Sequence, residues 1–137
     1  MIRRMDHVGL VTASLPDAAA AMALLDAKPV HRGRVDSYRV DTEFWQLPGD
    51  QVAVELVTPV APDAAVHNHL ERRGPGLHHI AYEVDDIDAD LATLAARGAV
   101  GVDERPCRGG RPGLRVAFVH LGPAANLLVE LVDYGPA

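Results

Sequence analysis

The sequence predicts an α+β fold of two βαβββ modules that form a shared, open, barrel-like cleft. The 137 residues are 48% hydrophobic, which is enough for one well-buried core. Short alternating apolar runs are typical of half-buried strands, and an amphipathic helical segment follows the first run in each half. The pattern returns after about 72 residues, too long a period for a solenoid. We therefore expect one domain over 1–137, with modules at about 4–60 and 76–135 and a connector at 61–75.

The first module begins with a strand at about 5–12. Ser14 is an N-cap candidate, and Pro16 lies just inside an alanine-rich helix that ends near Asp26. The remaining runs predict strands at 30–34, 38–47 and 52–57, with a turn at 48–50.

The second module repeats this order after a polar connector with some helical character at 62–73 and a Gly-Pro-Gly boundary at 74–76. A helix begins near 85–88 and ends at Gly98. Predicted strands cover 78–84, 99–103, 115–120 and 127–134, and a loop rich in glycine and arginine covers 105–114.

Charge and cysteine content exclude several classes of protein. The net charge of −6 argues against nucleic acid or an anionic membrane as a general partner. Cys107 is the only cysteine, so an internal disulfide and a cysteine-based zinc cluster are both excluded. The first apolar run is too short for a signal peptide or a membrane span, and we expect a cytoplasmic protein.

A histidine and a glutamate recur in the same positions of both modules. His7 begins an alternating run and is followed about fifty residues later by Glu55 in Val-Glu-Leu-Val; His79 and Glu130 repeat the arrangement. Charged side chains in buried strands are costly unless they are paired or bind a metal. Two histidines and two glutamates in matching registers predict one shared metal site. Imidazole and carboxylate ligands favour a divalent ion, with Co, Ni, Zn, Mn and Fe all compatible.

These segments resemble the vicinal oxygen chelate superfamily, which includes glyoxalase I, extradiol dioxygenases, methylmalonyl-CoA epimerase and antibiotic resistance proteins. The matching stretches begin Met5-Asp6-His7-Val8-Gly9, Val54-Glu55-Leu56-Val57, His78-His79-Ile80-Ala81 and Val129-Glu130-Leu131-Val132. The resemblance covers nearly the whole chain and is greatest to methylmalonyl-CoA epimerases. It implies the vicinal oxygen chelate fold, and it selects His79 over His78 as a ligand, in agreement with the repeat.

The resemblance also implies a reaction. A metal that chelates two substrate oxygens stabilises an enolate, and a nearby carboxylate moves the proton between a carbon and the protein. Glu130 is the expected base. The implied function is that of a divalent-metal-dependent epimerase or isomerase that acts on a small molecule such as an acyl-CoA, in a homodimer.

The segment before the third strand departs from the epimerase pattern. Epimerases carry a Pro-Glu-Gln element that supplies a second catalytic glutamate, whereas this chain has Ser37-Tyr38-Arg39-Val40-Asp41-Thr42-Glu43. Asp41 and Glu43 share a strand face, and Glu43 is our substitute candidate for the second catalytic group, although a solvated edge is the commoner place for such a residue. A glyoxalase-like lyase or isomerase acting on another, biosynthetic substrate therefore remains an alternative, as does a small-molecule-binding resistance-type protein.

The loop at 105–114 is the candidate binding site for a CoA tail. Arginine guanidinium groups and free backbone N–H groups bind phosphate well. The candidate cofactor-binding residues are Arg108, Arg111 and Arg115, against the alternative of a solvated hairpin connection.

Overall fold

The structure is a computed structural model that describes residues 1–136. Its secondary structure, in chain order, is β1 (Ile2–Val11), α1 (Leu15–Ala23), β2 (Lys28–Val35), β3 (Val40–Gln46), β4 (Ala53–Pro59), α2 (Ala65–Arg73), β5 (Gly76–Val84), α3 (Ile87–Ala96), β6 (Val100–Gly101), β7 (Cys107–Arg108), β8 (Arg115–His120) and β9 (Leu128–Asp133). The α+β class is confirmed. No helix among residues 1–136 is long and apolar enough to cross a membrane.

The described chain divides into two compact units. The N-terminal unit covers His7–His78, and the C-terminal unit combines Met1–Asp6 with the chain from His79 onward. The strands β1 and β5 each contain one of the two division points.

The N-terminal unit contains a mixed sheet in the order β2-β3-β4-β1. β2, β3 and β4 are successive antiparallel neighbours, and β4 pairs in parallel with β1. One face of this sheet carries an apolar cluster made largely of valines, against which Tyr38 and Leu70 pack: Val11, Val35, Val40, Val57, Ala64 and Val66. β-branched side chains suit this pleated, buried surface.

The C-terminal unit repeats the arrangement in the order β5-β9-β8-β6, with β7 also pairing with β8. β5 and β9 are parallel, and β8 is antiparallel to β9. The helix α3 packs against β8 and β9 over a second apolar cluster: Val84, Ile87, Ala117, Val119, Val129 and Leu131.

The helices α1 and α3, which follow β1 and β5, begin at side-chain caps. Ser14 accepts a hydrogen bond from the backbone of Asp17 at α1, and Asp86 accepts one from Ala89 at α3. Such caps satisfy N–H groups that have no partner within the helix.

Two segments predicted as a connector and a loop contain secondary structure, whereas other elements differ from the prediction in their bounds. The polar connector forms the helix α2, which has no side-chain cap and buries only Val66 among its own residues. The loop at 105–114 contains the two-residue strand β7, because Cys107 and Arg108 pair with Val116 and Arg115 of β8. Both elements depend on tertiary partners, which periodicity within a short window does not reveal.

Candidate metal centre

The first His–Glu pair lies on two parallel strands. His7 in β1 stands beside Ala53 in β4, and Glu55 stands opposite Gly9, two residue pairs further along. Residues two apart in a strand share a face, so both side chains project from the same side of the sheet. The His7 Nε2 atom lies 3.3 Å from Glu55 Oε1. Gly9 places no side chain in front of the imidazole, as a ligand position requires.

An aromatic side chain of the third strand packs against the histidine of this pair. Phe44 in β3 is paired directly with Glu55, and its ring meets His7 edge to face at 88°, with centroids 5.3 Å apart. Phe44 is almost completely buried. Packing of this kind holds an imidazole in one orientation.

The second pair has the same construction in the C-terminal unit. Ala81 in β5 stands opposite Glu130 in β9, and His79 lies two residues before Ala81. The His79 Nε2 atom lies 3.7 Å from Glu130 Oε1. Phe118 in β8 is paired with Glu130, and its ring meets His79 at 88° with centroids 5.1 Å apart.

The four side chains form a group with the chemistry of a metal site. They expose between 1% and 6% of their surface, and one ligand atom from each lies within 4.8 Å of the other three. Two imidazole nitrogens and two carboxylate oxygens suit a divalent borderline or hard ion. With neutral imidazoles, as metal ligation requires, the carboxylates leave two buried negative charges, and a divalent cation offsets them. The donor set therefore fits the metal implied by the sequence.

His78 occupies a different environment from its neighbour. Adjacent strand residues point to opposite faces, and the His78 ring meets His69 of α2 edge to face, with centroids 4.8 Å apart. Burial, and secondarily the positive charge of Arg73, lower the pKa of His69.

The structure does not bring Glu43 to the first pair. Glu43 is paired with Leu56, one position from the Phe44–Glu55 pair, so its side chain leaves β3 on the opposite face. There it is buried and paired with Arg32 Nη2 at 2.9 Å, and it accepts a hydrogen bond from Trp45 Nε1 at 3.1 Å. It is therefore not on the solvated edge that the sequence favoured, and we assign it no role in proton transfer.

The three arginines of the candidate CoA site have different surroundings. Arg111 is fixed inward: its Nη2 atom lies 2.9 Å from the buried carboxylate of Asp6, and its guanidinium carbon lies 5.6 Å from the centre of the Tyr134 ring. Arg115 pairs with the exposed Asp88 at 3.3 Å. Arg108 lies exposed in β7, paired in register with Arg115.

Sequence reasoning missed the two phenylalanines. They are the only phenylalanines in the chain, and they follow His7 and His79 by similar intervals. That repetition was available as a signal. The contact of these phenylalanines with the histidines could not be predicted, because it depends on the register of β3 on β4 and of β8 on β9.

The repeated strands and the two histidine–glutamate pairs define a class of protein, a repeated α+β module whose strands carry a buried His/Glu cluster that could bind a metal ion. The chain belongs to the Glyoxalase/Bleomycin resistance protein/Dioxygenase superfamily, whose family model matches residues 6–118. The family predicted from the sequence is thereby confirmed.

Individual relatives are similar over almost the full chain. An uncharacterised Bacillus subtilis protein, YqjC, is 32% identical over 96% of this chain and 93% of its own length. The ethylmalonyl-CoA/methylmalonyl-CoA epimerase of Cereibacter sphaeroides is 32% identical over 96% of this chain and 98% of its own. The Streptomyces coelicolor methylmalonyl-CoA epimerase, solved in complex with 2-nitronate-propionyl-CoA, superposes with a TM-score of 0.87 at 28% identity, covering 97% of this chain and 98% of that one.

Proposed function

We propose that the protein is a divalent-metal-dependent epimerase or isomerase that moves a proton alpha to the carbonyl of an acyl-CoA, with methylmalonyl-CoA as the first substrate to test. His7, Glu55, His79 and Glu130 hold the metal. The observation that carries the proposal is the repeated buried His–Glu pair, whose four ligand atoms fit one ion. The similarity to methylmalonyl-CoA epimerases over nearly the whole chain supports the reaction class.

When bound, the metal supplies Lewis acidity that stabilises negative charge on a substrate oxygen. Glu130 is the proposed base: its carboxylate is buried, and its Oε1 atom lies 3.7 Å from His79 Nε2. In this proposal the Oε atom of Glu130 takes the alpha proton, exchanges it with solvent and returns a proton to carbon.

The orientation of Glu43 favours one-base chemistry. A single carboxylate that removes a proton, exchanges it with solvent and delivers the new proton to the same face labels the carbon without inverting it. We therefore expect exchange of the alpha proton with solvent to be faster than net epimerisation.

A second candidate, an isomerase acting on another acyl substrate, is favoured by the same observation. With Glu43 directed away from Glu55, the second group needed for efficient inversion is not supplied from that position. A reaction that requires no inversion, on a substrate with two chelating oxygens, uses the same four ligands and the same base.

The arginines are proposed to bind the CoA tail in two ways. Arg108 and Arg115 are exposed and able to reach phosphate oxygens. Arg111 is held by Asp6 and secures the loop that follows β7. The homodimer expected from the family remains part of this proposal, and sedimentation of the purified protein tests it.

The deciding experiment measures metal content and alpha-proton exchange together. We expect about one divalent ion per chain, and deuterium incorporation into methylmalonyl-CoA in deuterated water when the protein is loaded with cobalt. His79→Ala should lose the metal. Glu130→Gln should lower the exchange rate by about 10² to 10⁴, the usual contribution of a general base.

Neighbouring residues supply the controls. His78→Ala should retain metal and exchange activity, because His78 contacts His69 rather than Glu130. Glu71→Gln, on the exposed surface of α2, controls for the loss of a carboxylate. Folded protein that binds no divalent ion on titration would overturn the proposal. Metal-loaded protein without exchange would redirect it to the second candidate.

A further inference from the structure

His120 is the last residue of β8 and lies on the sheet face that carries Glu130. Phe118, two residues earlier, is paired with Glu130 and packs against His79, and residues two apart in a strand share a face. His120 and Phe118 are both partly exposed, whereas Phe44, the counterpart of Phe118 in the N-terminal unit, is almost completely buried. This face of the C-terminal unit is therefore open to solvent at His120, and a ligand can reach it.

The strand register places His120 close to the proposed ligand histidine. His120 is paired with Leu128 of β9. Ile80 of β5 is paired with Val129, so Leu128, one residue earlier, lies beside His79. Neighbouring strands are about 4.8 Å apart, which puts the backbones of His120 and His79 about 10 Å apart with both side chains on one face. A small acyl group held beside His79 therefore comes within reach of the His120 imidazole.

The hydrogen bonding of His120 fixes the tautomer of its ring. The backbone N–H of Gly122 donates to Nδ1 at 3.0 Å. In a neutral imidazole one nitrogen accepts and the other carries the proton, so the proton lies on Nε2, which has no acceptor among residues 1–136. The turn is held by backbone hydrogen bonds from Leu121 to Leu127 and from Asn126 to Gly122, at 3.0 and 2.9 Å. The ring therefore presents one donor in a fixed orientation.

The hydrogen bond to the turn does not by itself require a histidine. Asparagine, aspartate and serine accept backbone N–H groups in turns with shorter side chains. Gln46 has the corresponding position in the N-terminal unit, two residues after Phe44, and it uses its donor on its own turn, since Nε2 bonds to the carbonyl of Asp50 at 3.1 Å. His120 uses only its acceptor in this way. The donor that remains, on the face of Glu130, is suited to a ligand oxygen.

We propose that His120 binds the substrate by donating its Nε2–H to an oxygen of a carboxylate next to the thioester. This inference rests on the proposed function and specifies the substrate class: an acyl-CoA whose acyl group carries a carboxylate. A site that bonds an oxygen discriminates against analogues that lack it, because the protein group is then left unpaired. The bonded oxygen does not react, so the bond is equally strong before and during the reaction, and it lowers KM without changing kcat.

The test compares two substitutions that separate the roles of the two ring nitrogens. His120→Asn keeps an acceptor for the Gly122 N–H but ends short of the Nε2 position, whereas His120→Gln places an amide N–H near Nε2. In cobalt-loaded protein, His120→Asn should raise KM for alpha-proton exchange in methylmalonyl-CoA by about tenfold or more, the usual effect of one hydrogen bond to a charged group. Its kcat should stay within about threefold of the wild type, and its Tm and metal content should be unchanged. His120→Gln should keep KM within about threefold.

A merely structural role predicts the opposite order, because only His120→Asn retains the bond to the turn. A wild-type KM in His120→Asn would overturn the inference, as would equal KM values in the two variants or a KM that rises only together with a lowered Tm.

If the metal-loaded wild type does not exchange methylmalonyl-CoA, the proposed reaction fails, and calorimetric binding of malonate to the cobalt protein replaces the assay. Malonate binding about tenfold weaker in His120→Asn than in His120→Gln then supports the role of His120. Equal binding by the two variants, or none by the wild type, contradicts it.

Discussion

Asp6, the residue before the first proposed metal-ligand histidine, is a buried carboxylate that accepts hydrogen bonds from several side chains. Tyr134 donates its hydroxyl hydrogen at 2.7 Å, and Arg111 and Arg4 contribute guanidinium nitrogens at 2.9 and 3.3 Å. Burial, followed by the hydrogen bond to Asp6 and its negative charge, raises the pKa of Tyr134 well above its usual value near 10. The phenol is thereby stabilised in its protonated form.

The Tyr134–Asp6 bond predicts a stability difference that disappears in alkali. Because the folded pKa of Tyr134 lies above the unfolded one, its contribution is complete below about pH 10 and is lost as the pH rises through the folded value. Tyr134→Phe should therefore lower the free energy of unfolding by about 1.5 kcal/mol at pH 8. The gap from the wild type should narrow above about pH 10, as measured by urea unfolding at several pH values.

Tyr82→Phe is the matched control, since Tyr82 is a half-buried tyrosine that packs against the C-terminal core. It should change the unfolding free energy less than Tyr134→Phe. A constant gap between Tyr134→Phe and the wild type from pH 8 to pH 11 would contradict the assignment.

At the scale of single residues, repetition was more informative than local pattern. The two His–Glu pairs were predictable because each residue recurs in the same register of both modules. The orientation of Glu43 was not predictable, because β3 carries apolar residues on both faces. Phe44 and Trp45 are adjacent and point to opposite faces, and the sequence does not reveal which of them faces Glu55. The face of Glu43 is set by the register of β3, in which Glu43 is paired with Arg32 in β2 and with Leu56 in β4.

Among the elements, the loop between β7 and β8 depends on close packing at Gly109. A Cβ atom at this position would lie 2.8 Å from Val116 Cγ1 and 2.9 Å from Leu114 Cδ2. Both of those side chains are almost completely buried, so neither can move aside cheaply. The backbone N–H of Gly109 also donates to the carbonyl of Leu114 at 2.9 Å.

Gly109→Ala should therefore destabilise the protein by about 1–3 kcal/mol, the usual cost of overpacking a buried site. The measurement is the midpoint of thermal unfolding. Gly101→Ala is the control, because a Cβ atom there meets only the carbonyl oxygen of Asp103 at 3.8 Å, an ordinary contact. Equal midpoints for the two variants would show that the loop yields more readily than its packing indicates.

Element boundaries were predictable where glycine- or proline-containing turns flank a strand at both ends. The strand β8 occupies the predicted 115–120, between a glycine-rich loop and the Leu121-Gly122-Pro123 turn. The strand β1 begins three residues before its prediction, because Ile2 to Arg4 are exposed and show no alternation. The helix α2 was only partly foreseen, since one buried valine does not produce an apolar stripe.

At the scale of the whole molecule, the metal should contribute to folding stability. The four proposed ligands are each buried in the folded chain, and a cation that binds the folded state alone stabilises that state by mass action. At free metal about 100-fold above Kd, the gain is about 2.7 kcal/mol. Addition of cobalt to metal-free protein should therefore raise the Tm by about 8 °C, as measured by calorimetry.

The two His–Glu pairs should contribute equally to the rise in Tm on cobalt addition. His7→Ala and His79→Ala should each abolish most of the cobalt-dependent rise in Tm, whereas His78→Ala should preserve it. A full response in either ligand variant would mean that one pair binds the metal alone.

The placement of Phe44 and Phe118 also has a practical consequence for spectroscopy. Because the chain contains only two phenylalanines, and each ring lies against one ligand histidine, incorporation of 4-fluorophenylalanine gives one fluorine resonance for each pair. The two halves of the metal centre can then be followed separately in the same sample, and a paramagnetic ion such as cobalt acts on both signals. The two phenylalanines would thus report whether the two His–Glu pairs respond equally to added cobalt.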